Sequence, residues 1–331
     1  MKPSQLKIAA EIAFRNRRPI MVQGSPGIGK TDIFCQAAEA AEMEMVISHP
    51  VVSDPTDFKG MPFVVDGKAT FLPFGDLRQL IEATVPTVFF LDDLGQAPAS
   101  VQAAAMQLLL SRKINGHSVS DFVTFAAATN RKSDKAGVSG ILEPVKSRFV
   151  TIIELNADLD DWVKWALKAG LPTELIAFIR FRPGLLCDFK PTADITNSPC
   201  PRTVHNVGKC MTDGYPSELE YEIYSGAAGE GFAAELMGFL KIFRNLPNPD
   251  VIIMRPEKAE VPDDPATLYA VAGALAAKAG ENNLERICVY GNRIPAEFNV
   301  MMMRDIISVK PELASTRAFI DWSCKNNDVI M

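Results

Sequence analysis

The sequence has few histidines, few cysteines and no long apolar run, and each shortage argues against a class of protein. Its 331 residues include three histidines and six cysteines, without a CxxC pair or the Cys/His spacing typical of zinc sites. This leaves little room for a zinc module, a disulfide scaffold or a catalytic site built on histidine. We expect the cysteines to be thiols in a reducing compartment.

Membrane and nucleic-acid partners are not indicated either. The N-terminal stretch MKPSQLKIAAEIAFRNRRP lacks the apolar segment of a signal peptide, and no later run reaches the length of a membrane span. The net charge is −6, so no overall positive field draws the chain onto nucleic acid, although a local basic groove stays open. We therefore expect a cytoplasmic protein.

The first half of the chain alternates short apolar runs with segments of helical periodicity. This pattern predicts an α/β fold with a parallel five-stranded sheet flanked by helices. The predicted strands are PIMVQ, EMVISHP, TVFFLDD, FVTFAAATN and FVTIIEL. Between the second and the third, two alternating runs flank Asp66 and Gly67, a dipeptide favoured in tight turns, which predicts an inserted β-hairpin.

Strand-like runs stop after Leu155, and the remaining sequence is mostly of helical type. We predict an α/β domain over residues 1–155, a helical lid over 156–215 and a helical C-terminal extension over 216–331.

The motif GSPGIGKT, at residues 24–31, lies between the first predicted strand and a helix. It fits the pattern of a loop whose backbone N–H groups cradle phosphates, because glycines let the chain turn tightly ahead of a positive helix end. Lys30 would reach the outer phosphates and Thr31 would bind Mg²⁺. The alternative, a plain glycine turn, does not require the lysine. The predicted ATP-binding residues are Gly24, Ser25, Pro26, Gly27, Ile28, Gly29, Lys30 and Thr31.

Two carboxylates follow the strand TVFFL, at the sheet edge where α/β folds bind ligands. Asp92 is the predicted second magnesium ligand, and Asp93 is placed to polarise an attacking water. The alternative is that both acids only cap the next helix.

Three further polar residues complete the predicted catalytic set. Asn130 ends the strand FVTFAAAT, where an amide can align water against the outermost phosphate. Arg148, in EPVKSRF, and Arg202, in SPCPRT, carry the permanent charge and forked donors that suit phosphate oxygens. Either arginine can instead be a surface residue.

Taken in order, these motifs resemble those of the AAA+ ATPases, and the chain is similar to the MoxR-like branch. The matching segments are GSPGIGKT as Walker A, VFFLDD as Walker B, AATN as sensor 1, KSRF as the arginine-finger segment, SPCPRT as sensor 2 and the hairpin at 61–74 as the branch's insert. The resemblance covers about residues 1–215.

This resemblance implies a homo-oligomeric ring, typically a hexamer, in which Arg148 reaches a neighbour's ATP and Arg202 couples the lid to the nucleotide state. It also implies a chaperone-like machine that remodels or activates a protein client or works with a co-chaperone.

One position departs from the family pattern, because Asp93 stands where most relatives carry glutamate. Its side chain is shorter by one carbon–carbon bond, about 1.5 Å, and a misplacement near 1 Å can cost about a hundredfold in rate. Three hypotheses follow: a hydrolysing ring that acts on a protein, a nucleotide-gated scaffold with little turnover, and a DNA motor. The acidic net charge and the lack of an appended DNA-binding module count against the third.

Overall fold

The computed structural model describes residues 1–134, 137, 140–192 and 194–326. The end of the predicted C-terminal extension, residues 327–331, therefore lies outside the described residues. The chain divides into an α/β unit, Met1–Asp158 with Phe189–Pro191, and a helical unit made of Leu159–Asp188 and the chain from Thr192 onward. Among the described helices, none combines the length and the apolarity needed to cross a bilayer.

The α/β unit contains a central sheet, two small hairpins and the helices that connect them. In chain order its elements are α1 (Pro3–Arg15), β1 (Ile20–Gln23), α2 (Lys30–Ala40), β2 (Glu44–Ser48), α3 (Pro55–Lys59), β3 (Met61–Val65), β4 (Lys68–Leu72), α4 (Gly75–Glu82), β5 (Thr87–Leu91), α5 (Ala99–Ser111), β6 (Lys113–Ile114), β7 (His117–Ser118), β8 (Val123–Thr129), α6 (Glu143–Lys146) and β9 (Thr151–Glu154).

The five predicted strands form one sheet in the order β2-β5-β8-β1-β9, with all neighbours parallel. The predicted α/β fold, a five-stranded parallel sheet with helices around it, is thus confirmed. Since β8 lies between β1 and β5, the carboxyl ends of these three strands are adjacent at one edge. The phosphate-loop motif follows β1, the two aspartates follow β5, and Asn130 follows β8.

The three central strands, β1, β5 and β8, are buried on both faces, which is why they read as continuous apolar runs. On β5, Phe89 belongs to the core cluster that contains Leu108 of α5, whereas Phe90 belongs to the opposite cluster. There Phe90 contacts Phe34 of α2 edge to face, with ring centroids 5.2 Å apart. Packing on both sides fixes the strand register and therefore the position of the residues at the strand ends.

The predicted inserted hairpin is confirmed as β3 and β4, which we call the insert hairpin (residues 61–72). Asp66 and Gly67 adopt φ angles of 51° and 75°, as a tight two-residue turn requires. Most of its apolar side chains are exposed, including Phe63 at 52% and Val64 at 74%. The imidazole of His117 is 3.0 Å from the carbonyl of Phe71, so the small β6–β7 hairpin contacts the base of the insert.

All described regular elements of the second unit are helices. They are α7 (Leu159–Lys168), α8 (Thr173–Phe181), α9 (Pro201–Asp213), α10 (Glu220–Ala228), α11 (Glu230–Arg244), α12 (Pro249–Met254), α13 (Pro265–Lys278), α14 (Leu284–Gly291), α15 (Ala296–Val309) and α16 (Arg317–Lys325). The division between a lid and an extension at residue 215 stays a prediction.

One long helical run of the sequence, residues 219–246, is broken in the structure at Gly229. This residue has a φ of 94°, and a Cβ there would lie 2.7 Å from the carbonyl oxygen of Asn197. Glycine is required on both counts, so the run becomes α10 and α11.

Candidate functional site

The phosphate-loop motif forms a tight turn between β1 and α2. Gly27 and Gly29 have φ angles of 71° and 98°, a region that side chains with a Cβ rarely adopt. Gly29 is the N-cap of α2 and makes no side-chain capping bond. The first N–H groups of the helix therefore face the turn without a side-chain cap, as an anion cradle needs.

Lys30 is the buried cation of this turn, with 7% of its surface exposed. Its ammonium group donates to the carbonyl oxygens of Gly24 and Ser25, at 3.0 and 3.2 Å, and to Oδ1 of Asn130, at 2.6 Å. These three hydrogen bonds fix the position of the ammonium group beside the turn. An anion at the turn would meet a preoriented positive charge in a low-dielectric setting.

Thr31 and Asp92 form the second contact across the sheet edge. The Thr31 hydroxyl donates to Oδ2 of Asp92 at 2.8 Å, while Oδ1 of the same carboxylate accepts from the N–H of Asp93 at 3.1 Å. The N–H of Asp92 donates to the carbonyl of Ser48, at the end of β2. The carboxylate is thereby held beside the phosphate loop. The Thr31 hydroxyl and the Asp92 carboxylate, both oxygen ligands of the kind that Mg²⁺ prefers, are hydrogen-bonded to each other.

Asp93 and Asn130 extend the network. Asp93 has a φ of 55° and a ψ of 34°, a left-handed conformation that aspartate tolerates better than most residues. Its Oδ1 accepts from Nδ2 of Asn130 at 3.1 Å. The Asn130 amide thus has one consistent orientation, with its oxygen toward Lys30 and its nitrogen toward Asp93.

The structure also includes Arg131, which the sequence analysis missed. Its guanidinium donates to the Ser25 hydroxyl at 3.2 Å, to the Leu155 carbonyl at 3.2 Å and to Oδ1 of Asn156 at 2.7 Å. It also pairs with Glu154 at 2.9 Å. The only sequence signal for it is its position directly after Asn130.

The remaining predicted catalytic residues are not joined to this network by a described hydrogen bond. Arg148 lies between α6 and β9, half-buried, and its Nε has no hydrogen-bond partner among the described residues. Arg202 is the second residue of α9 in the helical unit and is exposed. The roles of both stay predictions.

The thiol of Cys35, one helical turn after Thr31, has a pKa that depends on burial and on the nearby carboxylates. Burial raises the pKa of its thiol, and the negative charges of Asp32 and Asp92 raise it further. The neutral thiol is favoured, so this cysteine is a poor nucleophile.

Comparisons with known proteins find structural similarity only. No family model matches the chain, and no curated protein matches its sequence. Among solved structures, a mutant of RuvB from Thermotoga maritima is 17% identical with a TM-score of 0.45, over 82% of this chain and 80% of that one. NtrX from Brucella abortus in complex with ADP is 17% identical with a TM-score of 0.44, over 93% of this chain and 68% of that one. These values are too low to transfer an activity.

Proposed function

We propose that this chain is an ATP-binding and ATP-hydrolysing protein of the AAA+ type. The observation that carries the proposal is the joined network of Lys30, Thr31, Asp92, Asp93 and Asn130 at the carboxyl ends of three adjacent strands. The network contains a buried cation for phosphate, two oxygens for a metal ion and a carboxylate for water. A plain glycine turn or a helix cap requires no such combination.

The residues present fit a nucleotide bound with Mg²⁺. Thr31 and Asp92 would hold the metal, directly or through water, and the bound ion would neutralise charge on the phosphates. Lys30 would exchange its contacts with the backbone carbonyls of Gly24 and Ser25 for phosphate oxygens. Gly27 and Gly29 allow the backbone N–H groups to follow the phosphate chain.

For the hydrolytic step, Asp93 is the proposed acceptor of a proton from the attacking water, with Asn130 aligning that water. Arg148 of a neighbouring subunit and Arg202 are proposed to stabilise the charge on the transferred phosphoryl group. This division of labour requires a ring, and we propose a cytoplasmic homo-hexamer. On the resemblance to the MoxR-like branch, its action would be to remodel or activate a protein client.

A second candidate is a nucleotide-gated scaffold with little turnover. It is favoured by one observation, the short carboxylate of Asp93 whose Oδ1 is already held by Asn130. In that case ATP occupancy would control assembly and hydrolysis would be slow.

Phosphate release from ATP and Mg²⁺ distinguishes the two. We would measure the wild type, Lys30→Ala, Asp93→Asn and Asp93→Glu over a range of protein concentrations, because a shared site gains specific activity as rings assemble. Asp76→Asn, which changes a carboxylate outside the network, is the matched control. The ATPase proposal predicts turnover that rises with concentration and falls to background in Lys30→Ala and Asp93→Asn.

Each other outcome has a defined meaning. A wild type near background that Asp93→Glu activates would support the scaffold, with the short side chain as a brake. A wild type that stays monomeric with saturating ATP and Mg²⁺ and hydrolyses nothing would contradict the ATPase proposal.

A further inference from the structure

We propose that Arg131 is a positioning residue that links the phosphate loop to the segment by which the chain leaves the α/β unit. We call residues 154–156 the exit segment, because they end β9 and precede the first residue of the helical unit. The proposal rests on the proposed function in requiring nucleotide at the loop. It adds that nucleotide in the loop and the position of the exit segment influence each other, and that this side chain carries most of that coupling.

The first support is the geometry of the guanidinium. One of its terminal nitrogens donates to Ser25, the second residue of the loop motif, while the other donates to Leu155 and Asn156 of the exit segment. A guanidinium is planar and rigid, so its two ends cannot move independently. A displacement of Ser25 is therefore passed to the exit segment or breaks one of these contacts.

The second support is backbone packing between the same two segments. The N–H of Leu155 donates to the carbonyl of Gln23 at 2.8 Å, directly before the loop. A Cβ at Gly24 would lie 3.1 Å from the Leu155 carbonyl oxygen and 3.3 Å from the Leu155 Cβ. The start of the loop thus has little room to shift unless Leu155 shifts with it.

The third support is that Arg131 is incompletely satisfied. Its Nε is buried and has no hydrogen-bond partner among the described residues. A buried donor without a partner is unfavourable, so the contacts seen here do not optimise this side chain for stability alone. Its neighbour Asn130 contacts Lys30 and Asp93, so two consecutive residues contact the proposed nucleotide site and the exit segment.

The experiment combines amide hydrogen exchange with nucleotide affinity. Exchange of the peptide that covers residues 152–158 is measured in the full chain without nucleotide, with ADP and Mg²⁺, and with a non-hydrolysable ATP analogue and Mg²⁺. Affinities for the same nucleotides are measured in parallel. The variants at the linking residue are Arg131→Ala and Arg131→Lys. The lysine keeps the positive charge but lacks the two terminal donor groups of the guanidinium. In the exit segment the variants are Asn156→Ala and Glu154→Gln. The second is the milder change, because the Glu154 side chain is 52% exposed.

In the wild type we expect nucleotide to slow exchange of this peptide by about fivefold or more, the lower end of typical coupling between sites. Arg131→Ala should reduce that factor to below about twofold while nucleotide still binds. Arg131→Lys should behave like the alanine variant, since an ammonium cannot bridge both sides. Because coupling is reciprocal, Asn156→Ala should weaken nucleotide binding by about threefold to tenfold, and Glu154→Gln by less.

A purely structural role for Arg131 gives a different result. Exchange of the exit peptide would then rise by the same factor with and without nucleotide, and the nucleotide-dependent ratio would match the wild type. That outcome overturns the linkage and leaves the proposed function standing. A wild type that binds no nucleotide overturns both.

Discussion

The two units of this chain hold buried charge in different ways. In the helical unit, Arg180 of α8 meets Asp305 of α15 with both terminal nitrogens, and the two side chains are 12% and 7% exposed. In the α/β unit, Lys30 is equally buried, yet its three described hydrogen bonds are to neutral oxygens. In the first pair the guanidinium is bound by a carboxylate of another helix, whereas the described contacts of the second cation are with the loop backbone and the Asn130 amide, beside the predicted phosphate site.

The units also differ in aromatic residues. All three tryptophans and all five tyrosines lie at or beyond position 162, so they belong to the helical unit. The α/β unit uses phenylalanine in their place. Tryptophan fluorescence therefore reports the helical unit alone, whereas far-ultraviolet circular dichroism reports the helices of both units.

The largest effect is expected from breaking the charge pair of the helical unit. Asp305→Ala leaves the Arg180 guanidinium buried without its carboxylate, which should lower the free energy of unfolding by about 3 to 5 kcal/mol. Urea unfolding followed by tryptophan fluorescence measures this. As a control, Arg180→Met combined with Asp305→Leu should recover most of the loss. A loss below about 1 kcal/mol in the single variant would mean that solvent, not Asp305, compensates the arginine.

The next largest effect is expected from removing the Asn130 amide, which joins Lys30 to Asp93. Asn130→Ala takes the acceptor from Lys30 and the donor from Asp93, so ATP hydrolysis should fall about 10² to 10³-fold. Affinity for ADP should change by less than about tenfold, since the loop itself remains. Steady-state phosphate release and ADP titration give both values, with the exposed Asn16→Ala as control. A loss of nucleotide affinity with kcat unchanged would assign Asn130 to ground-state binding only.

A smaller effect, on stability, is expected at the other buried cation. Lys30→Met removes the donor of three described hydrogen bonds, each worth about 1 kcal/mol, so the free energy of unfolding should fall by about 1 to 3 kcal/mol. Nucleotide binding should nevertheless be lost. Urea unfolding followed by circular dichroism measures the change in stability, and ATP titration measures the loss of binding. Destabilisation as large as that of Asp305→Ala would erase the difference between the units.

The smallest expected effect is a gradual loss of stability at alkaline pH, larger in the helical unit than in the α/β unit. Burial, with a contribution from Glu285, raises the pKa of Cys288 to about 11, and burial with Glu220 raises the pKa of Tyr224 to about 12. In the unfolded chain both groups ionise at lower pH, so the unfolded state loses protons first and becomes favoured. Stability should be intact below about pH 8 and decline from about pH 9 upward.

Tryptophan-detected urea midpoints across this range measure the decline, and Tyr224→Phe should flatten it. The α/β unit has no tyrosine and only one cysteine, Cys35. The part of the circular-dichroism transition that tryptophan fluorescence does not follow should therefore move less. A parallel decline in both units would point to general charge repulsion instead of these groups.

Sequence reasoning works best here where the signal is local. The strands and the loop motif were predictable because burial on both faces leaves continuous apolar runs and because phosphate cradles need glycines at fixed spacing. Asp92, Asp93 and Asn130 could be placed at one edge because parallel strands bring their carboxyl ends together.

What the sequence could not supply depends on contacts between distant segments. Arg131 matters because Leu155 and Asn156 return beside Ser25, and nothing near residue 131 indicates that return. The break at Gly229 depends in the same way on the carbonyl of Asn197.

The insert hairpin has a consequence for how assembly is measured. It is a two-stranded ribbon in which β3 and β4 pair only with each other among the described residues, so the outer edge of each strand presents backbone groups that another ribbon can pair with. Pro62 and Lys68 protect these edges in part, while Val64 stays apolar and exposed. Concentrated samples can therefore associate edge to edge independently of nucleotide. Mass measurements on Val64→Lys would separate that association from a ring.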